Sequence, residues 1–126
     1  FGPFLKGSSE SCDSGREGKL LLTAVKKLTR SLSSCRLLKK LDLSRVQMTD
    51  SLIPQVCEMI DSLQHLEELQ LSWNYLSKDG LMGLYHCLLQ RTTKLKFLDV
   101  HLNKGSKDKA VVKLLEATSN YVQSDS

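Results

Sequence analysis

Apolar positions fall in the same order three times along this chain. Leu38, Leu41, Leu43 and Val46 are spaced three, two and three apart. Leu66, Leu69, Leu71 and Asn74 repeat that spacing 28 residues on, and Leu95, Leu98, Val100 and Asn103 repeat it after a further 29. Apolar and polar residues alternate within each stretch. This predicts short strands over 38–44, 66–72 and 95–101, with leucines on one side and polar side chains on the other. A second rhythm runs between and around the strands. Leu21, Val25, Leu28 and Leu32 form one helical stripe, Ile53, Val56 and Ile60 another, and Leu81, Leu84 and Leu88 a third. Val25, Ile53 and Leu81 are themselves 28 apart, so helix and strand share one period. The unit is strand, turn, helix, turn. A last helix is expected on Val111, Leu114 and Thr118, with Val112 and Leu115 alongside.

A fixed period of this size marks stacked units that bury their apolar sides against their neighbours. Joining strands through helices makes the strands parallel. Helices are wider than strands, so the stack is expected to curve with the strands inside. Thr49, Asp50, Ser51, Ser77 and Ser106 offer oxygens as helix caps, and Pro54 suits a first helical turn. Gly80 opens the third helix and leaves room for close packing on the strand side. Residues 7–18 are rich in Ser, Gly and charge and follow a short apolar start (Phe1, Phe4, Leu5); 1–18 together read as a flexible N-terminal segment. The repeat domain is expected over 19–122, with a polar tail, 123–126, that frays.

These residues resemble the leucine-rich repeat family, in its long, helix-containing, ribonuclease-inhibitor-like form. That pattern is Leu-x-x-Leu-x-Leu-x-x-Asn-x-Leu followed by a helix, and Leu66, Leu69, Leu71, Asn74, Leu76, Gly80, Leu81, Leu84 and Leu88 match it. The resemblance spans roughly 19–118. It implies an α/β solenoid, a short curved horseshoe with parallel strands on the concave face and helices on the convex one. It also implies that Asn74 is buried and bonds turn backbone. Val46 stands in the place of that Asn in the first repeat, which would lack the link. Gly105 replaces the apolar residue seen at Met48 and Leu76, so a looser last turn is expected.

The outward strand positions are the candidate site. Parallel strands about 4.8 Å apart would set them in rows. Lys40, Glu68 and Phe97 make one row, Asp42, Gln70 and Asp99 a second, and Ser44, Ser72 and His101 a third. Arg45 and Trp73 follow at the strand ends, with Tyr75 beyond. Phe97 is the most telling, because an outward aromatic has no core to fill unless something, such as the C-terminal tail, covers it. Trp, Tyr and Arg dominate interface energies. The expected partner-binding set is therefore Lys40, Asp42, Glu68, Gln70, Trp73, Phe97, Asp99 and His101. Asp42, Glu68 and Asp99 would favour a basic partner.

The remaining features exclude more than they assign. Asp99 and His101 with Ser44 or Ser72 look triad-like, but outward positions on a strand face do not converge as a triad must. Residues 15–20 imitate a phosphate loop without its first Gly or its final Ser/Thr. Ser14 and Glu17 fit a capping box as well as a phosphosite. Cys12, Cys35, Cys57 and Cys87 lack metal-ligand spacing and read as reduced, buried thiols. A net charge of +4 is spread over solvated helix faces and is weak evidence for nucleic acid. No apolar run is long enough for a membrane span. The leading expectation is a non-enzymatic intracellular module, cytoplasmic or nuclear, that binds a protein partner through the concave strand face. No cofactor, metal or small-molecule substrate is expected. The alternatives are a structural end-piece of a longer repeat protein and, behind it, a basic nucleic-acid adaptor.

Overall fold

Among the described residues four strands form one parallel sheet in chain order: β1 (Lys40–Asp42), β2 (Glu68–Gln70), β3 (Leu95–Asp99) and β4 (Ser119–Gln123). The structure is a computed structural model; it describes the backbone of residues 17–32 and 37–125 and the side chains of 23–31 and 37–125. The flexible segment expected over 1–18 falls almost wholly outside these residues, as do Cys12, Ser14 and Cys35. Helices α1 (Glu17–Leu32), α2 (Ile53–Ser62), α3 (Lys78–Leu89) and α4 (Lys109–Glu116) flank the sheet, with short 3-10 turns at Asp50–Leu52 and Lys104–Lys107. Consecutive helices pack on one another. The described architecture is an α/β layer pair whose sheet is open at β1 and β4.

The strand leucines make the core because each is trapped between the sheet and the helix stripes. Leu41, Leu69 and Leu98 are buried, as are Leu43, Leu71 and Val100 two residues further along. Val25, Leu28, Val56, Ile60, Leu81, Leu84 and Leu88 meet them from the helices. Each such side chain contributes about 1.5–3 kcal/mol by leaving water. The ladders run past the strands proper. Leu43 N–H donates to Gln70 O at 2.8 Å and Leu71 N–H to Asp99 O at 2.8 Å. Arg45 N–H donates to Ser72 O at 3.1 Å and Trp73 N–H to His101 O at 3.2 Å.

The C-terminal part departs from expectation. The stripe of α4 is Val111, Val112 and Leu115, all buried, whereas Leu114 is exposed. The helix stops at Glu116, Thr118 returns a hydrogen bond to Leu115 O, and the chain turns into β4. The described part of the tail expected to fray, 123–125, is instead paired: Gln123 O accepts from Val100 N–H at 2.9 Å. Asp125 Oδ2 accepts from Leu102 N–H at 2.9 Å and from the Ser106 hydroxyl at 2.5 Å. Ser106 is thus occupied, and the cap of α4 is Asp108, which accepts from Ala110 and Val111 N–H. Ser77 does cap α3, through Asp79 N–H. Thr49 makes no side-chain cap bond.

The turns explain the two departures from the repeat. Asn74 Oδ1 accepts from Val46 N–H at 3.1 Å and Met48 N–H at 2.9 Å, while its amide donates to Leu43 O and Leu71 O at 3.0 Å. Asn103 does the same one unit later, accepting from Leu76 N–H and donating to Leu71 O and Val100 O. Each Asn therefore reaches back to the preceding turn. The first turn has no described turn before it, so apolar, fully buried Val46 suffices, and the link expected to be missing there is supplied by Asn74. The last turn is not loose. Gly105 is buried, its N–H donates to Leu76 O at 2.9 Å, and a Cβ there would lie 2.4 Å from the Ser77 carbonyl carbon. Gly80 plays a similar part for Asp50, whose carboxylate accepts from Ser77 N–H at 2.8 Å and from the Ser77 hydroxyl.

Candidate functional site

Register places the outward residues in rows. Lys40, Glu68 and Phe97 are cross-strand partners, and β4 adds Tyr121 to that row. Asp42, Gln70 and Asp99 form the second row, which β4 extends with Gln123. Ser44 and Ser72 share a hydrogen bond of 3.0 Å in the third, beside His101. Alternation in the strands and parallel pairing together bring all these residues to one face.

The charged members of that face each bond or pair with a neighbour in the chain, Asp42 through a backbone N–H alone. Lys40 Nζ lies 3.7 Å from the Glu68 carboxylate. Asp42 Oδ1 accepts from Ser44 N–H at 2.9 Å. Asp99 is only 6% exposed, and its Oδ1 meets both His101 N–H at 3.1 Å and His101 Nδ1 at 2.5 Å. In both places an aspartate tucks back onto the residue two positions ahead, as Asx motifs do. Glu68 thus lies beside Lys40 and Asp99 bonds His101, whereas Asp42 bonds only a backbone N–H. The serines bond one another, not His101, so no hydroxyl is engaged by the Asp99–His101 pair. Among the described residues no group of three or more His, Cys, Asp or Glu is placed to hold a metal ion.

What the face offers outward is aromatic and apolar. Phe97 is half-buried and stacks on Tyr121 with ring centroids 5.7 Å apart and planes 8° apart. The C-terminal segment thus flanks Phe97, and Tyr121, at 61% exposure, becomes the outer aromatic of the row. Sequence reasoning missed Tyr121 because Ser119–Gln123 carries no leucine pattern; its sole signal is the β-favouring pair Tyr121-Val122.

A rim follows the strands. Arg45, Trp73 and Leu102 occupy equivalent places, each just before the residue that fills the turn. All three have left-handed backbone, with φ of 58°, 56° and 60°. This conformation swings each side chain out of the turn while Val46, Asn74 and Asn103 go in. Trp73 is 52% and Leu102 41% exposed. The Arg45 guanidinium lies 4.8 Å over the Trp73 ring, a cation–π contact. On the side of the last turn, Trp73, Leu102, Asn103, Lys104, Lys107 and Asp125 enclose an open cavity of about 400 Å³. Arg45, Leu102, Lys104 and Lys107 were outside the expected set. Left-handed non-Gly residues give no reliable sign in sequence, since that region favours Gly and Asn.

The thiols also differ from expectation. Cys57 and Cys87 are free and half-buried on adjacent helices, with Cys87 Sγ 3.7 Å from Cys57 O and Cys57 Sγ 3.9 Å from Gly83 O. Hydrogen bonding to Cys87, with burial, pushes the Cys57 thiol up. The same hydrogen bond, aided by the charge of Arg91, pulls Cys87 down against its own burial. Arg91 donates to Ile60 O and Leu63 O at 3.1 Å and to Leu66 O at 3.0 Å, closing the end of α2.

No protein-family model matches the chain. The comparison with curated proteins also gave no match. Among solved structures, it is similar to leiomodin-1 actin-binding site 2, with a TM-score of 0.66 and 21% identity. The match covers 82% of this chain, which spans 63% of that one. At that identity the similarity establishes the α/β fold. Among the described residues no helix is long and apolar enough to cross a membrane.

Proposed function

We propose that the chain is a curved leucine-rich repeat module of the ribonuclease-inhibitor-like kind that acts inside the cell and binds a protein partner, without catalysis of its own. The strand face is its concave surface, and the partner meets that face and its rim. One observation carries this reading: Tyr121 stays exposed beside half-buried Phe97, and Trp73 and Leu102 stay exposed on the rim, on strands and turns that the core holds rigid. Exposed aromatics on rigid elements bind with little ordering cost. The actin-binding segment named in the similar structure makes actin the first candidate partner.

The test compares the native chain with a Trp73→Ala, Tyr121→Ala variant. Actin is assayed by cosedimentation and other partners by capture from cell extract. Native circular dichroism in the variant together with loss of the captured protein is expected. A variant that retains every partner of the native chain would overturn the strand-face reading.

A further inference from the structure

The carboxylates of the strand face are engaged within the chain, whereas the cations of the rim cavity are not. Lys104 and Lys107 line the cavity, and no described carboxylate lies within ion-pair distance of either. The acid beside them, Asp125, has its Oδ2 occupied by Leu102 N–H and the Ser106 hydroxyl. Among the described lysines Lys40, Lys78 and Lys96 have a carboxylate in reach, of Glu68, Asp108 and Glu67; the others do not, so what sets Lys104 and Lys107 apart is their place on this cavity. The cavity also has apolar walls. Arg45 covers Trp73 from the first turn, and the cavity opens beside Trp73 and Leu102 at the last. Left-handed backbone recurs at every turn, so it is a property of the turn. The juxtaposition peculiar to this place is an exposed indole, an exposed leucine and two unmatched ammonium groups around about 400 Å³.

We infer that this cavity takes an acidic peptide segment of the partner: one apolar or aromatic side chain enters between Trp73 and Leu102, and carboxylates on either side of it meet Lys104 and Lys107. This rests on the protein-binding reading and specifies the partner's chemistry. It differs from the basic partner suggested by Asp42, Glu68 and Asp99, which belong to the strand face and do not line this cavity. A volume near 400 Å³ accommodates one large side chain with part of its backbone. Ammonium groups at the cavity mouth steer and select more than they tighten, so binding should weaken with salt.

Trp73 is the chain's single tryptophan, so its emission reports on this cavity directly. The probe is a hexapeptide with Phe-Leu at its centre and two acidic residues on either side. Two controls replace its acids by lysine or its Phe-Leu by Gly-Gly. We expect the acidic Phe-Leu peptide to shift Trp73 emission saturably, with an effect that fades as salt rises. Lys104→Glu with Lys107→Glu should weaken it at least about tenfold, the scale of losing two charge contacts. Both lysines are exposed, so the variant is expected to fold, and circular dichroism checks that it has. Failure of the acidic peptide to bind up to millimolar concentration overturns the inference. So does equal binding of the lysine or glycine control, or unchanged affinity in the double variant. An emission that changes with protein concentration alone would put a second copy in the cavity and overturns it too. If capture of a protein partner still depends on Trp73 and Tyr121 while the acidic peptide is refused, the acidic chemistry falls and the protein-binding reading stands.

Discussion

Asn74 and Trp73 are chain neighbours with opposite fates. Asn74 is 5% exposed and saturated with hydrogen bonds to two turns; Trp73 is 52% exposed and touches Arg45 from outside. One left-handed residue separates a buried, fully bonded layer from an exposed rim. The difference shows how a small protein holds an aromatic surface in place. The buried amide stiffens the turn, and the residue before it is displayed at little cost in mobility. The rim should then be functionally rich and thermodynamically cheap, and the layer beneath it the reverse.

Leu71→Ala should show the largest effect. Leu71 is fully buried below the Asn74 turn, and its loss is expected to cost about 2–5 kcal/mol in urea unfolding through lost transfer energy and a cavity. Asn74→Ala comes next. It leaves Val46 N–H and Met48 N–H without their acceptor and takes a donor from Leu43 O, while Leu71 O keeps its bond from Asn103; about 1–3 kcal/mol is expected. A cost below about 0.5 kcal/mol would break the comparison, because the turn would not depend on its amide. Trp73→Gly tests the rim. Relief of left-handed backbone opposes the loss of the cation–π contact and the greater freedom of the unfolded chain, so stability should change by less than about 1 kcal/mol. Thermal melts of Trp73→Gly and Asn74→Ala side by side sharpen the contrast. Smallest is Lys78→Ala. Its ammonium lies 4.0 Å from Asp108 Oδ2 in an exposed pair, and a change under about 0.5 kcal/mol is expected.

The buried layer was the legible one. Leucines three and two apart announced the strands, their alternation set the face, and the Asn positions marked turns whose bonds the structure bears out. Those signals survive in sequence because burial permits few residue types. The rim and the C-terminal strand were harder. Arg45, Trp73 and Leu102 share a backbone conformation that no common residue type advertises. Ser119–Gln123 pairs at a sheet edge, where one neighbour suffices and no leucine pattern is required. The pairing of the charges was illegible for a third reason. Asp99 was assigned correctly to the strand face, but a sequence does not show that its carboxylate bends back to His101. Gly105 misled in the same way: absence of a side chain reads as slack, whereas here it admits the Ser77 backbone.

The backward reach of the asparagines gives the molecule a polarity in time. Each turn is latched by the one that follows: the first by Asn74, the second by Asn103, and the third by Asp125 through Leu102 N–H and Ser106. A row of latches of this kind can come undone from its last member, which opens without first breaking another. Unravelling should therefore travel from the C-terminal end toward the first turn. Amide exchange at Leu102 and Gly105 would then run ahead of exchange at Leu76, and Leu76 ahead of Val46 and Met48.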